Sequence, residues 1–255
     1  TLSNGSTLTL NVDDADTDAT NELQQLTVST TGDTLYLQNG GFVIIPGISA
    51  ANAPSFPVGS VFCASGATAI VDVSNPTTGA IWMDRNLGAT QAATSSTDVD
   101  AYGDLYQWGR FSDGHQCRTS NTTATLSSVD QPAHGDFILA PNSPYDWRSP
   151  QNANLWQGLN GINNPCPSGY RIPTEAELEA ERLSWSSNAS TGALASPLKL
   201  PMAGYRDDSN GSLNLVGAFG LYWSSTVSGA SARYLYFSSS SASMSDFNRA
   251  NGYSV

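Results

Sequence analysis

The stretch 233–247, RYLYFSSSSASMSDF, constrains the fold more than any other part of the chain. At strand period its residues separate into two chemically different faces. Leu235, Phe237, Ala242 and Met244 fall on one side, and Tyr234, Tyr236, Ser238, Ser241, Ser243 and Ser245 on the other. This is the pattern of a half-buried hairpin, and a chain carrying it must supply a core for the apolar face. The outward face is Tyr and Ser, the composition that binding proteins use to join rigid aromatic contact to adaptable hydrogen bonding. Alternation by itself is equally satisfied by an exposed strand pair whose polar face has no partner.

A chain of 255 residues can hold one substantial core, or a core of about 200 residues with a small appendage. Two unequal parts are expected. Charged residues are 13% and the formal net charge is −12, but the acids are scattered, as in an acidic folded protein rather than a disordered acidic tail. That balance repels a phosphate backbone, and the ten Lys and Arg form no basic cluster, so no nucleic-acid partner is expected. No apolar run approaches the roughly 20 residues that span a bilayer, so no membrane insertion is expected either. The polar segment from Thr1 has no signal-peptide pattern, and any export signal is expected to have been removed or to lie outside this sequence. Abundant Ser, Thr, Asn and Gly with little Lys point to an extracellular β-rich protein.

Residues 1–45 read as short strands, Thr7–Asn11, Leu26–Thr30, Thr34–Gln38 and Gly41–Ile45, with turn signals at Gly32-Asp33 and Asn39-Gly40. Such a segment buries little alone and is expected to pack on a neighbour or to trimerise as a β stem. Residues 46–57, rich in Ala, Pro, Ser and Gly, read as a linker, and the main domain spans 58–255. Two helices are expected there. Asp98–Arg110 has acidic residues ahead of Leu105, Tyr106 and Trp108, and Thr174–Leu183 opens on a capping box of Thr174 and Glu177 after Pro173. The intervening residues 111–165 are loop-like, too long to be structureless unless packed for a purpose. From Leu194 short strands return. The whole reads as an α+β domain with few helices and much irregular backbone.

The three cysteines, Cys63, Cys117 and Cys166, and the two histidines, His115 and His134, have no zinc spacing. An odd cysteine count allows one disulfide and a leftover thiol, or a partner outside this sequence. His115 with Asp113 suggests acid–base work only weakly. Glu175, Glu177, Glu179 and Glu181 read as a solvated helix face with favourable charge near its N-terminus. Asp14, Asp16 and Asp18, followed by Glu22, alternate as calcium ligands do, although Ala19 and Gln25 stand where an EF-hand needs Gly and Glu. Calcium at those aspartates is the one cofactor this pattern offers.

Six segments in order, TGAIWMDRNLGA (78–89), AYGDLYQWGR (101–110), NPCPSGYRIPTEAEL (164–178), LPMAGYR (200–206), GLYWSSTVSG (220–229) and ARYLYFSSSSASMSDFNRANGYSV (232–255), carry a resemblance. The first five resemble the Fibrobacter succinogenes major paralogous domain family over residues 58–255. The resemblance implies a C-type-lectin-like fold, shared with formylglycine-generating enzymes. The last segment looks like the variable region of a diversity-generating retroelement target protein, in which adenine-directed mutagenesis rewrites chosen codons, many of them Asn codons, into Ser, Asp, Tyr, Phe or Leu. Those types occupy the outward positions here.

The resemblance implies that the variable region, about 205–255, is a ligand surface. It joins Asp246, Phe247 and Asn248 at the hairpin's end, and Asp207, Asp208, Phe219, Leu221 and Ser231 in nearby loops, to Tyr234, Tyr236, Ser238, Ser241, Ser243 and Ser245. Trp223, Leu235 and Phe237 are the expected fixed scaffold. It also implies a Cys beyond an NGYSV-like ending as partner for Cys166; the sequence stops at Val255, which leaves Cys166 unpaired or truncated from its partner, and Cys63 with Cys117. Lectin-like folds hold structural calcium, for which Asp72, Asp84 and Asp104 are conceivable ligands. The function expected is non-catalytic binding of a protein or glycan on a cell surface, as in an adhesin or tail-fibre tip, by an extracellular, cell-surface or virion-borne homo-oligomer joined through its N-terminal segment. A structural subunit of a surface filament or phage fibre is the alternative; an oxidase of the formylglycine-generating type would need a second cysteine near Cys166.

Overall fold

The computed structural model describes four strands, Leu8–Asn11 (β1), Leu23–Val28 (β2), Thr34–Leu37 (β3) and Phe42–Ile44 (β4), and residues 54–255 apart from residue 65. The chain divides into two compact units, Thr1–Ser55 and Phe56–Val255, so the boundary falls inside the segment read as a linker. In the first unit the turn-punctuated pattern gives an antiparallel sheet in the order β1-β2-β3-β4. Its register sets Leu8 against Leu26, Leu26 against Leu37 and Leu35 against Val43. Strand β2 begins at Leu23 rather than Leu26. Asp14, Asp16 and Asp18 lie outside the described residues.

The second unit is an α+β fold with few helices and much irregular backbone. Its strands are Asp72–Ser74 (β5), Ile81–Met83 (β6), Tyr106–Gln107 (β7), Thr122–Thr123 (β8), Phe137–Ile138 (β9), Tyr205–Arg206 (β10), Leu213–Asn214 (β11), Gly220–Ser228 (β12), Ser231–Phe237 (β13), Ala242–Asn248 (β14) and Gly252–Tyr253 (β15). Its helices are Glu175–Leu183 (α1) and Ser190–Ala195 (α2). The alternating stretch forms the hairpin β13–β14 as expected, with Leu235 opposite Met244 and Phe237 opposite Ala242. Strand β12 pairs with β13 to complete a three-stranded sheet.

Both faces of that sheet are covered along β12, whose first six residues are all buried. One face sends Tyr222, Leu235, Phe237 and Ala242 into a core with Leu178, Trp185, Leu198 and Leu200. The other sends Leu221, Trp223 and Ala232 into a core with Trp108, Trp156, Ile172 and Tyr253. Full burial of each large apolar side chain contributes about 1.5–3 kcal/mol. Phe237 adds ring contacts to Trp185 at 5.5 Å and Tyr222 at 5.7 Å. The expected scaffold residues Trp223, Leu235 and Phe237 are 1%, 0% and 0% exposed.

Helix α1 starts where its capping box directs. The Thr174 hydroxyl accepts from Glu177 N at 3.3 Å, and Glu177 Oε2 accepts from Thr174 N at 2.8 Å. Helix α2 has no side-chain cap at Ala189 and a glycine, Gly192, in its middle, so no local signal marked it. The expected helix over Asp98–Arg110 does not form. Asp98 caps only a single 3-10 turn, Val99–Ala101, after which Gly103 at φ 64° and Gly109 at φ 79° turn the backbone left-handed. Between those glycines the chain pairs as β7 with β15.

The long segment 111–165 is packed rather than structureless. Its carbonyls, and those of the turns at 211 and 229–231, are met by buried arginines, as unpaired backbone groups require. Arg110 donates to the carbonyls of His134 and Asp136, both at 2.9 Å. Arg206 donates to those of Cys117 at 3.0 Å, Ser120 at 2.6 Å and Gly211 at 2.9 Å. Arg249 lies 4.7 Å over Trp108 and reaches the carbonyls of Gly229 at 2.9 Å and Ser231 at 3.3 Å. Cys63 and Cys117 form a disulfide with Cα atoms 5.2 Å apart, the pairing the resemblance implied.

Candidate functional surface

Cross-strand neighbours share a sheet face, so the registers fix what accompanies the two hairpin tyrosines. Trp223, Tyr234 and Ser245 form one rung across β12, β13 and β14; Leu221, Tyr236 and Ser243 form the next. Exposure rises along each rung, from buried Trp223 and Leu221 to half-exposed Ser245 and Ser243. Tyr234 sits between them, its ring 5.9 Å from Trp223, 4.9 Å from Tyr253 and 6.3 Å from Tyr236. Tyr253 stacks on Trp223 at 4.2 Å and meets Tyr205 edge-on at 5.9 Å. Four tyrosines, Tyr205, Tyr253, Tyr234 and Tyr236, therefore run in a continuous row from β10 through β15 to β13. Burial raises the Tyr234 phenol above its ordinary pKa, with Ser245 opposing in part, so this phenol stays protonated and can both donate and accept.

Asp207 lies at the Tyr205 end and accepts from Ser209 N at 2.8 Å and Asn214 Nδ2 at 3.5 Å. Asn248 donates to Asp208 at 3.0 Å, whose carboxyl pKa is raised by burial. The structure thus brings Tyr234, Tyr236, Ser243, Ser245 and Asp207 around one surface, with exposed Phe247 on the face of Tyr234, whereas Asn248 shares the strand phase of Asp246. Phe219 is half-buried against the Trp223 core, and Ser231 stands at the β12–β13 turn.

Five expectations need correction. Leu221 is 6% exposed, Asp208 8% and Ser238 9%, so none offers a contact surface. Leu221 fills the core under Tyr236, Asp208 is covered where Asn248 binds it, and Ser238 sits in the β13–β14 turn, its carbonyl accepting from Ser190 N at 2.8 Å. Asp246 alternates onto the opposite face, opposite Arg233, and its Oδ1 lies 3.2 Å from the Arg233 guanidinium, which also binds Glu175. Ser241 is exposed in the turn, beyond the last cross-strand pair Phe237–Ala242 and outside the rungs that carry the tyrosines. The sequence reading missed Tyr205, Asn214 and Tyr253. The first two pair across β10–β11, and their only signal was the Tyr/Asn composition of 205–214.

A second feature is an apolar cavity of about 370 Å³ lined by Trp82, Met83, Cys166, Leu178, Leu200 and Trp223 among others. Cys166 carries a free, buried thiol whose pKa burial pushes up to about 12, which suppresses thiolate chemistry. His115 is fully buried: Nδ1 meets Asp113 Oδ1 at 2.7 Å and Nε2 accepts from Gln107 N at 3.0 Å. Burial holds it down to about 4, so it is a neutral structural imidazole with both nitrogens engaged. Among the described residues no three His, Cys, Asp or Glu side chains are grouped to hold a metal ion, and no helix is long and apolar enough to cross a membrane. Asp72 accepts from the Tyr170 hydroxyl, Asp84 pairs with Arg85, and Asp104 is buried. Comparison with family models, curated proteins and solved structures gives no match for this chain.

Proposed function

We propose that this chain is a non-catalytic ligand-binding protein of the adhesin or tail-fibre-tip type, related to the Fibrobacter succinogenes major paralogous domain family, with a diversifiable surface on a C-type-lectin-like scaffold. The observation that carries the reading is the row Tyr205, Tyr253, Tyr234 and Tyr236, backed by Trp223 and bordered by Ser243, Ser245, Asn214 and Asp207. Aromatic rings already packed against one another lose little freedom on binding, and the hydroxyls, amide and carboxylate around them supply adaptable hydrogen bonds. Half-exposed Tyr236 and exposed Phe247 are the anchors. Tyr234 is a support as much as a contact, because its ring is committed to Trp223 and Tyr253.

The ligand is a protein or glycan on a cell surface, and the protein works outside the cell or on a virion. A surface of this size binds weakly per copy, and avidity comes from a homo-oligomer, a trimer or larger, joined through the N-terminal unit. Deep sequencing of the gene's 3′ end across a source population tests the reading. Variation concentrated at the codons of Tyr236, Ser243, Ser245 and Phe247, with Trp223, Leu235 and Phe237 constant, is expected; uniform low variation overturns it.

A further inference from the structure

Strand β14 is the outer strand of its sheet: the order is β12-β13-β14, and no other described strand pairs with it. In an antiparallel ladder every second residue turns its backbone groups away from its partner. The phase is fixed by the turn, where Ser238 N donates to Ser241 O at 2.8 Å, so Ala242, Met244, Asp246 and Asn248 point theirs outward. Two further contacts agree with that phase. The Ala242 carbonyl accepts from Asn188 Nδ2 at 2.9 Å, and the Arg233 carbonyl, opposite Asp246, turns the other way to accept from Ser224 Oγ at 2.8 Å.

Asn188 closes one end of this edge, and Asn251, donating to the Asn248 carbonyl at 3.2 Å, closes the other. Between them the N–H and C=O of Asp246 and the N–H groups of Met244 and Asn248 meet no described partner. Of the usual protections of a free edge the strand bears a single charge, having no Pro, no Lys and no bulge against β13. Its one charged side chain is Asp246, exposed on one face with Oδ1 3.2 Å from the Arg233 guanidinium and Oδ2 left for a partner, while exposed Phe247 and half-exposed Ser245 and Ser243 continue the tyrosine surface on the other.

We propose that the β14 edge accepts an extended polypeptide segment of a partner protein, which adds as a further strand and places a Lys or Arg opposite Asp246. The proposal rests on the ligand-binding reading of the tyrosine surface and names its ligand class: main-chain hydrogen bonds hold the segment, and alternate side chains reach the Phe247–Ser245–Ser243 face. Charge selects a basic segment rather than a second copy. The chain carries −12, and a symmetric pairing centred on Asp246 would set two carboxylates directly opposite each other.

The test uses the full chain and a displayed library of random linear dodecapeptides. Recovered peptides are titrated calorimetrically against wild type, Asp246→Ala, Asp246→Pro and Tyr236→Ala. Proline removes the outward N–H but no bond to β13, a substitution edge strands tolerate, whereas alanine keeps the N–H and removes the charge. Basic peptides are expected to weaken about tenfold or more with Asp246→Pro, and less with Asp246→Ala. Methylating every second peptide amide must abolish binding to wild type, a readout that holds even if the proline variant is unstable. Binding indifferent to Asp246→Pro and to methylation but lost in Tyr236→Ala overturns the edge proposal and leaves the tyrosine surface standing. Binding lost in Asp246→Pro but unchanged in Tyr236→Ala keeps the edge and removes the surface. Recovery of no peptide, or a dimer in light scattering that Asp246→Pro dissolves, overturns the proposal.

Discussion

Asp104 makes this protein less stable as the solution becomes more alkaline. The residue is 6% exposed, and the charge of Arg118 is what opposes its desolvation. The nearest help is Arg118, whose guanidinium is already committed to the carbonyls of Gly103 at 2.7 Å and Ala203 at 3.0 Å and lies over the Tyr102 ring. Burial therefore outweighs that attraction and pushes the Asp104 pKa from 3.8 to about 7. Between those values the folded chain holds a proton that the unfolded chain has released, so stability falls as pH rises through this window and levels off above it. A difference of about 3 pKa units corresponds to about 4 kcal/mol. Asp104→Asn cannot ionise, so it removes this dependence. The variant is expected to match wild type near pH 4 and to exceed it by up to about 4 kcal/mol near pH 8, or about 10 °C in melting temperature. Urea unfolding followed by tryptophan fluorescence reads the difference, because Trp108, Trp147, Trp156 and Trp223 are buried. Parallel pH profiles for the two proteins would refute the reasoning.

Gly220→Ala places a Cβ 2.2 Å from the Phe237 ring and should cost about 1–3 kcal/mol by overpacking; an unchanged urea midpoint would contradict the packing described. Thr174→Ala removes the cap of α1 and should cost about 1 kcal/mol, against no change if the capping box is ornamental. Thiol titration of the denatured, unreduced protein should find one thiol per chain, at Cys166; three would sink the Cys63–Cys117 disulfide. Reducing that bond, which closes a separation of 54 residues, should lower stability by about 4 kcal/mol on the chain-entropy estimate, and identical melting with and without reductant would reject that figure.

The parts of this fold that were legible in the sequence are those specified locally. Thr174 and Glu177 announce α1 because both halves of the capping box lie within one turn. The period of 233–247 announces the hairpin and its register because a one-residue slip would expose Leu235 and Phe237. What could not be read is what covers each face. Alternation placed Tyr234 outward, but Trp223 and Tyr253, which arrive from β12 and β15, convert that outward face into a second core margin. Leu221 and Ser238 were misjudged for the same reason, being buried by partners distant in sequence. The face of Asp246 and Asn248 does follow from alternation, which sets both on the face opposite the tyrosines even though they flank Phe247 at the hairpin's end. Residues 98–110 looked helical because acids precede apolar residues, and the two left-handed glycines outweighed that composition.

The arginines under the long loops bear on how this surface can change over generations. Arg206 holds the Gly211 carbonyl and Arg249 those of Gly229 and Ser231, so these turns are set from beneath, by side chains that are themselves buried. The shape of the rim and the chemistry of its lining are thus written by different codons. On the proposed reading, substitutions at Tyr236, Ser243, Ser245 or Phe247 would alter what is held without altering the frame that holds it, and a lineage could explore new ligands there without each trial also being a trial of folding.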